Sequence, residues 1–324
     1  MSQIIDYQWP NFFLTKAKFN KNYSSKNNKN LIVKIEKFFY EKFKFTVRLF
    51  PSARACIGSI LEYEGVNRKD EVFVNKWVSN CIFNTVGYFS NPSVNFKNQE
   101  IIIANNIWGL CQKIKKTKKK NKFIIDDSCD SIILNLKSLF PNKSKYEIFS
   151  LPKLIGSVAG GIVISKDKKF LNFCKKRQQQ NKKFGILQSK LKFDEINKSK
   201  EIYDYRYKEA TNSYSDYNSL KDIEKNLHNY DKNKKIISYR IKILKKIVDF
   251  KLDKSRIGPV ILIDEKSFIN LKNLNKVFLF RHKIISYKSN FSKKFLIFPV
   301  HFKISEKKFS YYLKILKLNL KKKL

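Results

Sequence analysis

The sequence lacks the features of membrane-spanning and secreted proteins. No run of 18 or more apolar residues occurs, so we expect no transmembrane helix. The first residues, MSQIIDYQWPNFF, do not combine a basic start with an apolar stretch and a small-residue cleavage site, so a secretory signal is not expected. The five cysteines are odd in number and include no CxxC pair. We therefore expect reduced thiols in a cytoplasmic protein that has no metal site.

Arginine is also scarce, and this weakens the most direct interpretation of the charge. The formal net charge is +41, which favours an anionic partner such as nucleic acid. Of the 68 basic residues only eight are arginine, the residue that suits bidentate recognition of phosphates and bases. The 60 lysines accompany abundant Asn, Ile and Phe, as a genome-wide compositional bias would produce. We favour a solvated basic surface over specific nucleic-acid binding, although the charge also suits attraction of anionic substrates.

Apolar runs alternate with helix-length intervals through the first half of the chain. Residues 31–43 carry apolar side chains at helical spacing, and residues 53–64 predict a second helix with Ser52 as its N-cap. Five β-like runs follow, at residues 71–75, 100–105, 123–125, 146–149 and 161–165. Continuous apolar runs of this length, separated by crossover segments, are typical of a parallel sheet buried on both faces. We predict an α/β fold with a mostly parallel central sheet sandwiched by helices.

The pattern changes in the second half of the chain. Residues 168–185 and 218–250 indicate helices, separated by a polar, tyrosine-rich stretch without clear periodicity. Three strand-like runs, PVILID, KVFLF and KFLIFPV, then precede a helix that begins near residue 305. We therefore predict a large α/β domain over residues 1–205 and a smaller C-terminal α+β domain over residues 206–324.

One lysine differs from the rest. Most lysines lie in Lys- and Asn-rich runs, whereas Lys153 lies in the apolar, glycine-bearing segment YEIFSLPKLIGSVAGGIVISKD, residues 146–167. A lysine held away from water loses part of its preference for the charged form, and its amine becomes a candidate nucleophile. We therefore expect burial to disfavour the charged form of Lys153.

Two other segments carry side chains that suit a ligand. Ser52 begins a helix, where free N–H groups and the helix dipole favour a phosphate, although most helices that begin with serine bind no ligand. Asp126 and Asp127 follow the buried run FII, at the end of a strand where open α/β sheets bind ligands. An ordinary Asp turn or helix cap is the alternative for these two carboxylates.

The segment around Lys153 supplies two further elements. Ser150 precedes the lysine by three residues, and Gly160-Gly161 permits a tight turn or close approach of the backbone. An amine, an acid and a phosphate cradle are together what pyridoxal 5'-phosphate (PLP) requires. The lysine binds PLP covalently, the acid keeps the pyridine nitrogen protonated, and hydroxyls with helix-start amides hold the phosphate. The sequence therefore predicts a PLP site centred on Lys153.

Six segments, in the correct order, resemble the DegT/DnrJ/StrS family of PLP-dependent sugar aminotransferases. The resemblance covers most of the chain, from about residue 30 to the end. The segments are SARACIGSILEYEGVNRKDEVFV, IFNTVGYFSNP, NNIWGL, FIIDDSCDS, IFSLPKLIGSVAGGIVISKD and FLIFPVHFKISEKKFSYYLKIL. The resemblance implies the type I fold of PLP-dependent transferases, PLP as cofactor, and a homodimer in which each active site is completed by the partner subunit.

The resemblance also assigns roles to individual residues. It makes Lys153 the Schiff-base lysine and general acid/base, and it makes Asp127 the partner of the pyridine nitrogen, leaving Asp126 structural. The residues it assigns to the phosphate are Ser52, Ala53 (through its backbone) and Ser150. Asn212, in TNSYSD, is the candidate for the contact across the subunit boundary.

The chain departs from the family at both faces of the cofactor ring. Asp130 stands where members often have a His that stacks on the ring; a carboxylate does not stack, but it offers a hydrogen bond to the cofactor. Ser79 stands where many members have an aromatic residue, so Trp77 and Trp108 are the candidates to replace it. The lysine follows the serine by three residues, where many members have five. These differences leave the cofactor expected and the substrate open.

The resemblance implies amino transfer, with glutamate as donor, to a nucleotide-linked keto-sugar for polysaccharide or amino-sugar synthesis. A diverged PLP protein with altered or lost transaminase activity is the alternative, and a basic nucleic-acid-binding protein is a third, less favoured one. We interpret His301 as a structural or interface residue rather than a catalytic base. Arg54 is equally well explained as a phosphate or substrate contact and as a helix-surface residue.

Overall fold

A seven-stranded sheet lies at the centre of the first half of the chain. The computed structural model describes residues 19–20, 28–75, 78–96, 100–114, 122–194, 208–250, 252–253, 255–269, 274, 277–283 and 293–321. The strands are β1 (Val47–Phe50), β2 (Glu71–Val74), β3 (Asn91–Ser93), β4 (Ile101–Asn105), β5 (Phe123–Asp127), β6 (Tyr146–Ser150) and β7 (Gly161–Ser165). They are ordered β1-β7-β6-β5-β4-β2-β3, and only β7 runs against the others. The predicted mostly parallel sheet is therefore confirmed.

Helices cover both faces of this sheet. In chain order they are α1 (Lys29–Phe43), α2 (Ala53–Tyr63), α3 (Asn80–Phe89), α4 (Leu151–Ile155), α5 (Lys168–Arg177), α6 (Lys182–Asp194), α7 (Tyr217–Asn226), α8 (Asn229–Lys245) and α9 (Glu306–Asn319). Short 3₁₀ turns are formed by Ile107–Gly109, Leu136–Ser138, Glu209–Thr211 and Glu265–Ser267. On one face the apolar side of α2 packs against β2, β4, β5, β6 and β7. On the other face α1, α7 and α8 form one hydrophobic cluster with the C-terminal segment.

A second, three-stranded antiparallel sheet lies near the C-terminus. Its strands are β8 (Val260–Asp264), β9 (Leu279–Lys283) and β10 (Lys293–Pro299), ordered β8-β10-β9, and α9 packs against it through Phe309 and Tyr312. These elements fit the expected α+β character of the C-terminal region. The predicted domain boundary at residues 205–206 lies outside the described residues and stays a prediction.

The two long helices predicted in the second half are each interrupted. Residues 168–185 form the end-to-end pair α5 and α6, and Asn181 between them adopts a left-handed conformation (φ 58°), which asparagine tolerates better than most residues. Residues 218–250 form α7 and α8. Here the Asn226 amide donates to the backbone oxygen of Asp222 (2.7 Å), so this side chain competes with the helix ladder, and the Asn229 amide donates to the backbone oxygen of Ile155 in α4 (3.1 Å).

Candidate active site

The predicted site residues meet at one edge of the central sheet, where its parallel strands end. Asp127 ends β5 and lies opposite Asn105, the last residue of β4. Ser150 ends β6 and pairs with Gly161, which also pairs with Phe50 at the end of β1. The chain after Phe50 turns directly into α2. Strand register therefore brings the start of α2, the Ser150 turn and the Asp127 turn to the same edge, as the sequence predicts.

The start of α2 lies against the backbone of β7. Ser52 is the N-cap, and its hydroxyl oxygen accepts from the N–H of Ala55 at 3.2 Å. A methyl group placed on Gly161 would lie 2.3 Å from the carbonyl carbon of Ser52 and from the nitrogen of Ala53. Only glycine fits there, and this close approach sets the first turn of α2 beside Ser150. Because the first N–H groups of a helix have no intrahelical partner, this turn suits an anion.

A buried carboxylate already lies beside the start of α2. Glu209 is 1% exposed and forms ion pairs with the guanidinium of Arg54 and with Lys192 Nζ, the latter at 2.5 Å. Burial acts to raise the pKa of Glu209, but Arg54 and Lys192 hold it at about 2, with help from the Ser52 hydroxyl. Arg54 is therefore not a free helix-surface residue, because its charge is balanced inside the chain, and its contact with a phosphate or substrate stays a prediction.

Asp127 and its neighbour Asp126 point to opposite faces of β5. Asp127, 6% exposed, accepts from Asn105 Nδ2 at 2.8 Å and from the N–H of Cys129 at 3.1 Å. Burial raises its pKa, whereas the charge of Lys153 acts to lower it. Asp126 accepts from the Asn142 side chain at 2.7 Å and from the Asn106 side chain at 3.3 Å. Those contacts tie loops together, as expected for the structural member of the pair.

Lys153 lies in α4 and reaches the same pocket. Its Nζ is 2.6 Å from Oδ1 of Asp130, with the two side chains 30% and 13% exposed. Burial is the largest single influence and acts to lower the pKa of Lys153, as the sequence predicts, but the charge of Asp130, its hydrogen bond and the neighbouring thiols together outweigh burial, and the pKa is raised. The expectation that the charged form is disfavoured is therefore wrong, because the fold gives this lysine an acidic partner. Asp130 thus contacts the lysine rather than standing alone at a ring-stacking position.

The other candidates for the ring faces are Ser79, Trp77 and Trp108. Ser79 is an exposed N-cap residue of α3. Trp77 lies outside the described residues. Trp108 is buried in a cluster with residues of the C-terminal sheet, including Val260 and Phe295. The replacement for the family's stacking residue therefore stays a prediction.

Two thiols, those of Cys81 and Cys129, also belong to this pocket. Cys81 lies on the first turn of α3, beside Arg54, and both Cys81 and Cys129 lie near Lys153. Burial raises the pKa of Cys129 well above its ordinary value, so it is a neutral thiol. No pattern in the sequence separates these two cysteines from the remaining three.

Asn212 and His301 are both enclosed within the chain. Asn212 is 1% exposed; its amide donates to Gln188, and its side-chain oxygen accepts from the N–H of Tyr214 at 3.0 Å. Its role across a subunit boundary stays a prediction. His301 is buried in the C-terminal region, and its backbone oxygen accepts from Arg240 at 2.6 Å. A catalytic role for His301 is not supported by these contacts.

The gathered residues fit PLP. The amine of Lys153 lies near enough to Asp127 that its charge acts to lower the pKa of that carboxyl, and the cradle over Gly161 lies beside Ser150. Within the described residues, no cluster of three or more His, Cys, Asp or Glu side chains could hold a metal ion. No helix of the described ranges is both long and apolar enough to span a bilayer.

Comparison with known proteins agrees with this fold. The solved structure of a DegT DnrJ EryC1 StrS aminotransferase from Brucella abortus is similar over 89% of each chain, with 13% identity and a TM-score of 0.59. DesI, solved in the presence of its TDP-sugar product, is similar over 90% of this chain and 85% of its own, with 12% identity and a TM-score of 0.62. The aminotransferase TlmJ from Streptoalloteichus hindustanus is similar over 89% of this chain and 90% of its own, with 11% identity and a TM-score of 0.55.

These likenesses confirm the fold expected from the resemblance. No curated protein sequence matches the chain. The family model described as "Putative PLP-dependent aminotransferase" matches residues 35–317, nearly the whole sequence, and so includes every element that forms the pocket. The chain belongs to this family of PLP-dependent aminotransferases.

Proposed function

We propose that this aminotransferase moves an amino group from glutamate to a nucleotide-linked keto-sugar, in the cytoplasm, for surface polysaccharide or other amino-sugar synthesis. The observation that carries the proposal is the meeting of Lys153, Asp127 and the start of α2 at one edge of the sheet. Two facts support the sugar substrate. DesI, which shares the fold, was solved with a TDP-sugar product, and the net charge of +41 would attract a diphosphate-linked substrate.

Each residue of the pocket has a task that its surroundings suit. PLP, when bound, supplies an electron sink for the carbon that gains or loses the amino group. Lys153 would bind PLP through Nζ and afterwards carry the proton between the two carbons involved. Asp127, buried and held by Asn105, would face the pyridine nitrogen, whose positive charge would stabilise the carboxylate.

The phosphate would lie at the first turn of α2. Its ligands would be the Ser52 hydroxyl, the N–H of Ala53 and the Ser150 hydroxyl. The Ser52 hydroxyl also serves Glu209 in this structure, so we expect the phosphate to compete with that carboxylate for the same donor. Asp130 would lie beside the bound cofactor through its contact with Lys153.

We further propose a homodimer with shared active sites. The support is the family resemblance, with Asn212 as the candidate contact to the partner's cofactor. Because the Asn212 amide is already bonded to Gln188, contact across the boundary requires that bond to be exchanged. Light scattering of the purified protein tests the assembly: a dimer is expected, and a monomer that retains full activity would contradict shared sites.

Amino transfer is tested in two half-reactions. PLP-loaded protein mixed with glutamate should release 2-oxoglutarate, and the amine-loaded protein should then convert a TDP-linked keto-sugar to the amino-sugar, detected by mass spectrometry. Lys153→Ala should lose both reactions. Lys169→Ala removes an exposed lysine of α5 and serves as the matched control, which should retain them. Absence of 2-oxoglutarate from PLP-loaded protein would contradict the glutamate donor.

Altered chemistry on the same cofactor is the second candidate. It is motivated by the Lys153–Asp130 ion pair and by the polar Ser79 at a position that is aromatic in many members. A protein of this kind would bind PLP at Lys153 and yet keep the cofactor in its aldehyde-derived form with every amino donor offered. Conversion of the cofactor to its amine form by any amino acid would exclude it.

A further inference from the structure

The strongest unexplained contact in the pocket is that between Lys153 and Asp130. Nζ and Oδ1 are 2.6 Å apart, the distance of a short, charge-assisted hydrogen bond. The Asp130 side chain is 13% exposed and Asp130 follows Asp127 by three residues, so the turn after β5 carries one carboxylate that contacts the amine and another whose pKa the amine influences. The proposed role of Asp127 is to face the pyridine nitrogen of PLP. Nothing in the proposed chemistry so far accounts for Asp130.

An ammonium cannot act as a nucleophile, because its nitrogen has no free electron pair. Lys153 must therefore lose a proton before it reacts with an aldehyde, and Asp130 is within hydrogen-bonding distance to receive it. We propose that Asp130 governs the proton on Nζ of Lys153: its carboxylate holds the amine as an ammonium and takes the proton when the amine becomes a nucleophile. The inference rests on the proposed function, since it assigns Lys153 that reactive role.

The proton transfer is balanced within the pair. The ammonium N–H bond breaks, an O–H bond forms on Asp130, and two opposite charges become a neutral amine and a neutral carboxylic acid. Loss of water from the pocket favours the neutral pair, because burial penalises both charges. A bound ligand that covers the 30% of Lys153 left exposed would thus shift the pair toward the reactive form.

The other titratable groups around Lys153 cannot easily replace Asp130. The thiols of Cys129 and Cys81 couple to the amine, but burial raises the pKa of Cys129 well above its ordinary value and keeps it protonated. Asp127 is held by Asn105 and by the backbone of Cys129. Asp130 is therefore the group whose removal should change the basicity of Lys153 most.

Competitive acetylation measures this basicity without PLP. Full-length protein, freed of PLP with hydroxylamine, is treated with trace acetic anhydride from pH 7 to 12, and mass spectrometry follows each lysine. In the wild type, the midpoint of Lys153 should lie at high pH, because the Asp130 carboxylate holds its proton. In Asp130→Asn its midpoint should fall by at least one pH unit, which raises its acetylation at pH 9 about tenfold. Asp130→Glu, which keeps the charge, should retain the high midpoint.

Lys192 provides a control inside the same sample, because its partner is Glu209 rather than Asp130. Its midpoint should not change in Asp130→Asn, and a thermal melt should show that the variant is folded. A Lys153 midpoint that is unchanged in Asp130→Asn would overturn the proposal, and so would equal shifts of Lys153 and Lys192. Acetylation needs no cofactor, so a chain that fails to bind PLP would defeat the proposed function and leave this result standing.

Discussion

Glu209 offers the most quantitative test of how the phosphate end of the pocket is built. Its carboxylate is 1% exposed, and Arg54 and Lys192 hold its pKa at about 2, against an ordinary value of 4.5. A lowered folded-state pKa stabilises the fold above the ordinary value, and this contribution is lost as pH falls from 4.5 toward 2. The lowered pKa of Glu209 therefore contributes about 3 kcal/mol to the free energy of unfolding at neutral pH and roughly half of that at pH 3.

Glu209→Gln should therefore lower the free energy of unfolding by about 3 kcal/mol at pH 7, because it leaves Arg54 and Lys192 without their buried counter-charge. Urea denaturation at a series of pH values measures the difference between wild type and variant, in which the other titrating groups cancel. That difference should shrink by about 2 kcal/mol between pH 7 and pH 3.

Glu224→Gln is the matched control for this series. Glu224 also pairs with two cations, Lys34 and Lys221, but their side chains are 64% and 44% exposed, so the loss of its charge should change stability by about 1 kcal/mol or less. A Glu209→Gln difference that stays the same from pH 7 to pH 3, or one no larger than that of Glu224→Gln, would refute the argument that Glu209 is held by two cations.

Two further substitutions test the packing around the site. Gly161→Ala should destabilise the fold by about 1 to 3 kcal/mol and weaken PLP binding, because the added methyl group would lie 2.3 Å from the backbone of Ser52 and Ala53. The control is Gly87→Ala, which should stabilise α3 by about 1 kcal/mol because no atom lies within 4 Å of the added methyl group. Equal melting temperatures for the two variants would contradict this expectation. Arg256→Met should lower the free energy of unfolding, measured by urea denaturation, by about 3 to 5 kcal/mol, because it leaves the fully buried Glu147 without its counter-charge. The double variant Arg256→Met/Glu147→Leu should recover part of that loss. If it recovers none, the loss is not caused by the unpaired charge.

The sequence predicts the location of the site because that location follows from strand order. A carboxylate that ends a parallel strand, a serine that ends the next strand and a helix that begins after β1 must all lie at the same edge. Ser52, Asp127 and Lys153 could thus be selected from their local patterns alone. The interruptions of the two long helices could not, because they depend on single asparagine side chains and their local hydrogen bonds.

Ion pairs between residues that only the tertiary fold brings together could not be predicted from the sequence. Glu209 lies in a stretch with no periodicity, and its partner Arg54 is far away along the chain, so nothing local identifies the pair. The prediction that the charged form of Lys153 is disfavoured is wrong for the same reason. Burial alone lowers it, and only the turn after β5 shows that Asp130 reaches Nζ.

The most direct test of the central claim locates the covalent bond to PLP. Full-length protein incubated with PLP, reduced with borohydride and digested should yield a pyridoxyl group on the peptide that contains Lys153, and Asp127→Asn should weaken PLP retention without moving the bond. Lys153→Ala should leave no site-specific adduct. Labels scattered over many of the 60 lysines, equal in wild type and Lys153→Ala, would contradict the claim that this pocket holds the cofactor.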